Sequence, residues 1–208
     1  MGLLARMAPR LLRWQPLAGA VLIVAVVLVW PDGGWKGGVW SLRAVALVLT
    51  LGALFFLDDA SAEVTAPVPA PLWLRTGVRA GLALLVALPV WIVALLVERS
   101  HLPEVWLLWL TVEFAALFAE GLAFAALLGR GAPEPGVLAV PTMVVFTLAA
   151  LATPGDWTLL GLQTTEWTIA HVRWSVVLSV ALAGLAWASR DPVWRRRSAR
   201  PSSMATRP

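Results

Sequence analysis

The chain has 208 residues, 60% of them hydrophobic and 13% charged, with a mean hydropathy of +0.81. A soluble domain carries about 45–50% apolar and about 25% charged residues; the excess here is gathered into runs near membrane-spanning length, which marks an integral membrane protein with room for one membrane domain. Cysteine is absent, which excludes disulfides, thiolate metal sites and cysteine nucleophiles, and the pI near 11.2 does not point to nucleic acid, because most basic residues flank apolar runs, where they set orientation.

The expected fold is all-α: a polytopic bundle of six transmembrane helices preceded by an amphipathic helix lying on the membrane. In chain order, residues 1–15 place Leu3, Leu4, Met7, Leu11 and Trp14 beside Arg6, Arg10 and Arg13 at helical spacing, a pattern suited to an anionic leaflet surface. Spans are expected at about 15–30, 38–57, 77–97, 104–128, 136–153 and 170–189, within a single domain over 1–190. The first and fifth are short for a bilayer. The first run ends in Pro-Asp-Gly-Gly without a small-residue cleavage site, and reads as a retained span rather than a signal peptide. The tail 191–208 is rich in Arg, Ser and Pro, and reads as a disordered basic cytoplasmic segment.

Arginine sets the orientation. With the N-terminus inside, the inner segments hold twelve of the sixteen basic residues and the outer ones hold Lys36, Arg43, Arg99 and Arg173. Both termini are then cytoplasmic, in a multi-pass protein of the cell membrane. Tryptophans fall into two belts, with Trp91 alone deep in a span.

Between the second and third spans, Asp58 and Asp59 follow the membrane exit. Asp59 can cap a short helix over 60–65 with Glu63 in its first turn, and Pro67, Pro69 and Pro71 stiffen the return. Such an element suits docking of a soluble partner through Asp58, Asp59 and Glu63; the alternative is a turn that only joins two spans. His101, Pro103 and Glu104 read as capping at the start of span four, with Pro103 in its first turn. His171 and Arg173 read as interfacial.

Glu113 and Glu120 lie inside span four. Seven residues is about two turns, so both project from one face roughly 10 Å apart. Intramembrane carboxylates face a partner, a cavity or a substrate path. By depth Arg43 can reach Glu113, and Arg79 can reach toward Glu120, so the four residues form either a polar path or structural pairs. Residues 154–169 are too apolar for an ordinary outer loop. No Walker A loop, His-Glu-x-x-His or Gly-x-Ser-x-Gly motif occurs, and two histidines alone build no metal site, so an enzyme is the least favoured class.

This layout resembles the permease subunits of exporter-type ABC transporters, and the stretch LDDASAEVTAPVPAPLW from Leu57 is similar to the loop of short permease-like proteins of actinobacteria. The lack of Asn and Tyr and the single Lys agree with a GC-rich source. The resemblance implies a separate ABC ATPase subunit that binds the ATP, a second permease chain (the same or different), and a coupling role for 58–65. The short length and the Pro-x-Pro-x-Pro arm depart from that family. Two other readings stay open: a proton- or cation-coupled carrier using Glu113 and Glu120, and a non-transporting accessory subunit.

Overall fold

A computed structural model describes residues 13–29, 35–58, 71–132, 134–153, 159–160 and 164–190. Among them the chain forms six α-helices and no strand: α1 (Gln15–Val29), α2 (Trp35–Leu54), α3 (Leu72–Glu98), α4 (Glu104–Leu128), α5 (Pro135–Ala152) and α6 (Thr164–Ala188). A single 3₁₀ turn (Phe55–Leu57) closes α2. Five helices are long and apolar enough to cross a membrane; α1, with 15 residues, is shorter. At 1.5 Å per residue α1 reaches about 22 Å, against a hydrocarbon core of about 30 Å. The protein is a multi-pass membrane bundle. The interfacial helix expected before α1 and the basic tail lie outside the described residues.

Two boundaries differ from the sequence reading. Helix α3 starts at Leu72 rather than 77, because Pro71, extended at the N-cap, releases the chain into helix directly after the Pro-rich arm. Helix α6 starts at Thr164 rather than 170, so the end of the apolar segment expected outside the membrane forms its first turns. Pro103 occupies the N-cap of α4 in extended conformation, one position before the first turn, and Glu104 follows at the positive helix end.

Consecutive helices run antiparallel. One end of the bundle gathers Trp40, Trp106, Trp109, Trp167 and Trp174; the other carries Arg13, Arg75, Arg79, Arg130 and Trp187. Helices α2 and α4 form the core, with 67% of an 18-residue apolar stretch of each buried, against 22% for α3 and α6. These outer helices leave apolar faces for lipid, as expected where lipid replaces water as solvent. Helix α4 packs most extensively against α6 and then α2. Small residues allow the close approach: a Cβ at Gly52 would meet Ala20 Cβ of α1 at 2.7 Å, and one at Gly121 would meet Thr50 Cγ2 of α2 at 2.8 Å. Helix α3 docks through one stripe, Ala83, Ala87, Trp91, Ala94 and Glu98, whose spacings of three and four residues keep it on one face. Trp91 is its anchor, stacked on Phe114 at 4.6 Å.

Candidate functional site

The site grows from α2 at the tryptophan-rich end. Arg43 is 6% exposed and Glu113 is 1% exposed. The two meet in a fork: Arg43 Nε donates to Glu113 Oε1 at 2.8 Å and NH2 donates to Oε2 at 3.2 Å. This geometry fits a planar guanidinium to a carboxylate better than any lysine can. The third arm, NH1, donates to the Leu160 carbonyl at 2.9 Å. Trp40 and Trp167 lie 5.2 and 5.8 Å from the guanidinium carbon, within cation–π range. One buried cation thus joins α2, α4 and the segment between α5 and α6.

Helix α6 contributes His171, fully buried. Its Nδ1 lies 2.7 Å from the Trp167 carbonyl. A carbonyl only accepts, so Nδ1 donates, and Nε2 faces Glu113 Oε2 at 3.6 Å without a hydrogen bond. The ring is held between Trp167 and Trp109, at 4.3 and 5.4 Å. Trp174, one turn further along, donates to the Leu159 carbonyl at 2.8 Å. Leu159 and Leu160 are therefore tied down by two side chains from different helices.

Beside this network lies a cavity of about 200 Å³. Trp40, Phe146, Leu160 and Trp174 wall it, and Arg43 and Glu113 form its polar edge. Its surface is overwhelmingly apolar, so what it can hold is an apolar group presenting at most a small polar end to the ion pair.

The other predicted residues fall elsewhere. Glu120 is buried on α4 beside Gly121, and its Oε2 has no hydrogen-bond partner. Arg79 does not supply one: it donates to the carbonyls of Leu57 and Asp58 at 3.3 and 3.4 Å. The expected reach of Arg79 toward Glu120 is corrected accordingly: its guanidinium is turned to the carbonyls that close α2. Asp58 is 2% exposed and faces inward. Its Oδ1 accepts the Gly136 backbone N–H at 2.6 Å, which caps α5, and its Oδ2 lies 3.6 Å from Arg13, itself paired with Glu134 at 2.6 Å. As a direct docking contact Asp58 is unsuited; its carboxylate is committed within the chain. Asp59 and Glu63 lie outside the described residues.

Sequence reasoning missed His171, read as interfacial because span six was started at 170. With α6 beginning at Thr164 it sits two turns inside and faces α4. The available signal was Trp167 four residues earlier, which places two aromatic rings on one helix face. Among the described residues no group of three or more His, Asp or Glu side chains is arranged to hold a metal ion. Comparison with family models, curated proteins and solved structures gives no match to this chain.

Proposed function

We propose that the chain is the membrane-spanning permease subunit of an ATP-driven, ABC-type transporter, moving its substrate together with a separate ATPase subunit and a second permease chain. The observation that carries this reading is the placement of two polar clasps along α2, one just past its C-terminal end and one near its middle. At one end Asp58 ties α2 to the start of α5, and Arg79 ties α3 to the same turn. Near the middle of the helix, Arg43 ties α2 to α4 beside the cavity. The clasps are fifteen residues apart, about 22 Å along a stiff helix. A partner that grips 59–70 pulls on Asp58, and α2 carries the displacement to the Arg43–Glu113 pair. Breaking that pair opens the cavity between α2 and α4. Glu113 and Arg43 then serve as a latch, and Asp59 and Glu63 as the docking acids on a cytoplasmic loop.

The test is detergent purification of the tagged chain, identification of co-purifying proteins by mass spectrometry, and assay of ATP hydrolysis. The proposal expects an ATPase subunit in the complex, and loss of its stimulation on Asp59→Lys with Glu63→Lys. Unchanged coupling in that double variant removes the docking role.

A second reading is favoured by Glu120, a buried carboxylate with an unpartnered oxygen. An intramembrane acid of this kind is suited to a proton- or cation-coupled carrier. That reading requires transport by the purified chain in proteoliposomes under a pH gradient, without ATPase, abolished by Glu120→Gln.

A further inference from the structure

At the arginine-bearing end, a second cavity of about 360 Å³ opens between the start of α3 and the end of α4, within the range of small-molecule sites, about 300–1,000 Å³. Arg75, Thr76, Arg79 and Arg130 supply its polar wall. Leu57, Pro135 and the small residues at the end of α4 supply the rest, and no Asp or Glu is among the described residues that line it. Three arginines bordering one cleft offer guanidinium donors to an anion. Arg130 is held rigidly: its Nε donates to the Ala188 carbonyl at 3.0 Å, its NH2 to Trp187 at 2.7 Å, and its guanidinium lies 4.6 Å from the Trp187 ring. Arg79 is oriented by the Leu57 and Asp58 carbonyls. Two of the three guanidinium groups are thus oriented before any ligand arrives.

The neighbouring surface decides the kind of anion. Arg75 and Arg79 begin a stripe along α3 that continues at Leu82, Val86, Pro89 and Val93, successive positions three or four residues apart. Beyond the arginines this stripe is wholly apolar, and Val86 and Val93 are 41% and 53% exposed. Helices α3 and α4 approach closely at few positions, the Trp91–Phe114 stack among them. Charge at the membrane edge followed by apolar surface running toward its middle matches an amphiphile with an anionic head and hydrocarbon chains. We propose that the Arg75–Arg79–Arg130 cleft binds an anionic phospholipid, headgroup phosphate among the guanidinium groups and acyl chain along the α3 stripe. The site is separate from the Arg43–Glu113 cavity and independent of the transport reading.

The full chain, purified in detergent, is mixed with equal amounts of phosphatidylglycerol and phosphatidylcholine, and retained lipid is measured by native mass spectrometry. The wild type retains phosphatidylglycerol in preference. Losing one guanidinium in Arg75→Gln lowers that preference about fivefold, Thr76→Asp abolishes it, and Arg75→Lys keeps most of it. Gel filtration and the melting temperature in phosphatidylcholine alone show that each variant is folded. Thr76→Asp leaves all three arginines in place and serves as the variant of record should Arg75→Gln fail to fold. Equal retention of both lipids by the wild type overturns the proposal, as does a preference unchanged in Thr76→Asp. Inorganic phosphate stabilising the chain as strongly as phosphatidylglycerol also overturns it, assigning the cleft to a free anion.

Discussion

Arg43 and Glu113 stabilise each other only as a pair. Each is almost fully removed from solvent, so deleting one leaves the other charged and uncompensated in a low-dielectric interior. Arg43→Ala is expected to destabilise the protein by about 3–5 kcal/mol, whereas Arg43→Met combined with Glu113→Leu restores most of the loss. Unfolding in detergent for the two single variants and the double variant measures this coupling; additive losses would mean that the pair is not energetically joined. Asp58 behaves differently. Burial pushes its carboxyl above the ordinary 3.8, against the lowering effects of the Gly136 N–H and Arg13. The folded chain therefore holds this proton more tightly than the unfolded chain. The stability linked to Asp58 is fully present below about pH 3.8, declines as pH rises through the folded value, and is level above it. Asp58→Asn should flatten that part of the stability profile, which thermal unfolding of both proteins across acidic pH would reveal.

The residue scale was also where sequence reading divided most sharply. Arg43 with Glu113 was legible, because two opposite charges at matching depth in neighbouring spans have few other partners. The inward turn of Asp58 was not, since its acceptor role depends on Gly136, 78 residues away. His171 was hidden by a helix boundary set six residues late.

Among the elements, the six helices were legible from hydropathy, but their facing was not. Helices apolar all round carry no stripe that says which side meets protein and which meets lipid. Helix α3 shows the consequence. Its exposed residues are as apolar as its buried ones, and only the small stripe around Trp91 marks the packed face. Trp91→Ala removes the stacking on Phe114 and the bulk of that contact, at a cost of about 3–5 kcal/mol. Limited proteolysis and thermal unfolding should show α3 released more readily; unchanged stability would place the α3 contact elsewhere. At the α2–α4 crossing, Gly121→Leu would force a side chain into Thr50 and Leu54. It should weaken the bundle and shift the Arg43–Glu113 register, whereas Gly184→Leu, where the nearest neighbour is Ala123 at 3.8 Å, should be tolerated better.

At the scale of the whole molecule, the bundle gathers Trp40, Trp106, Trp109, Trp167 and Trp174 at one end and most of its described arginines at the other. The transport proposal depends on which end meets the cytoplasm. A partner ATPase can act on 59–70 only if the Asp58 end is inside. The natural absence of cysteine makes this directly measurable. Single-cysteine variants Ser61→Cys, in the segment that follows Asp58, and Ser100→Cys, in the exposed turn between α3 and α4, are treated with a membrane-impermeant maleimide on intact cells and again after permeabilisation. The account predicts labelling of Ser100→Cys on intact cells and of Ser61→Cys only after permeabilisation; labelling of Ser61→Cys on intact cells would put the loop outside and contradict it.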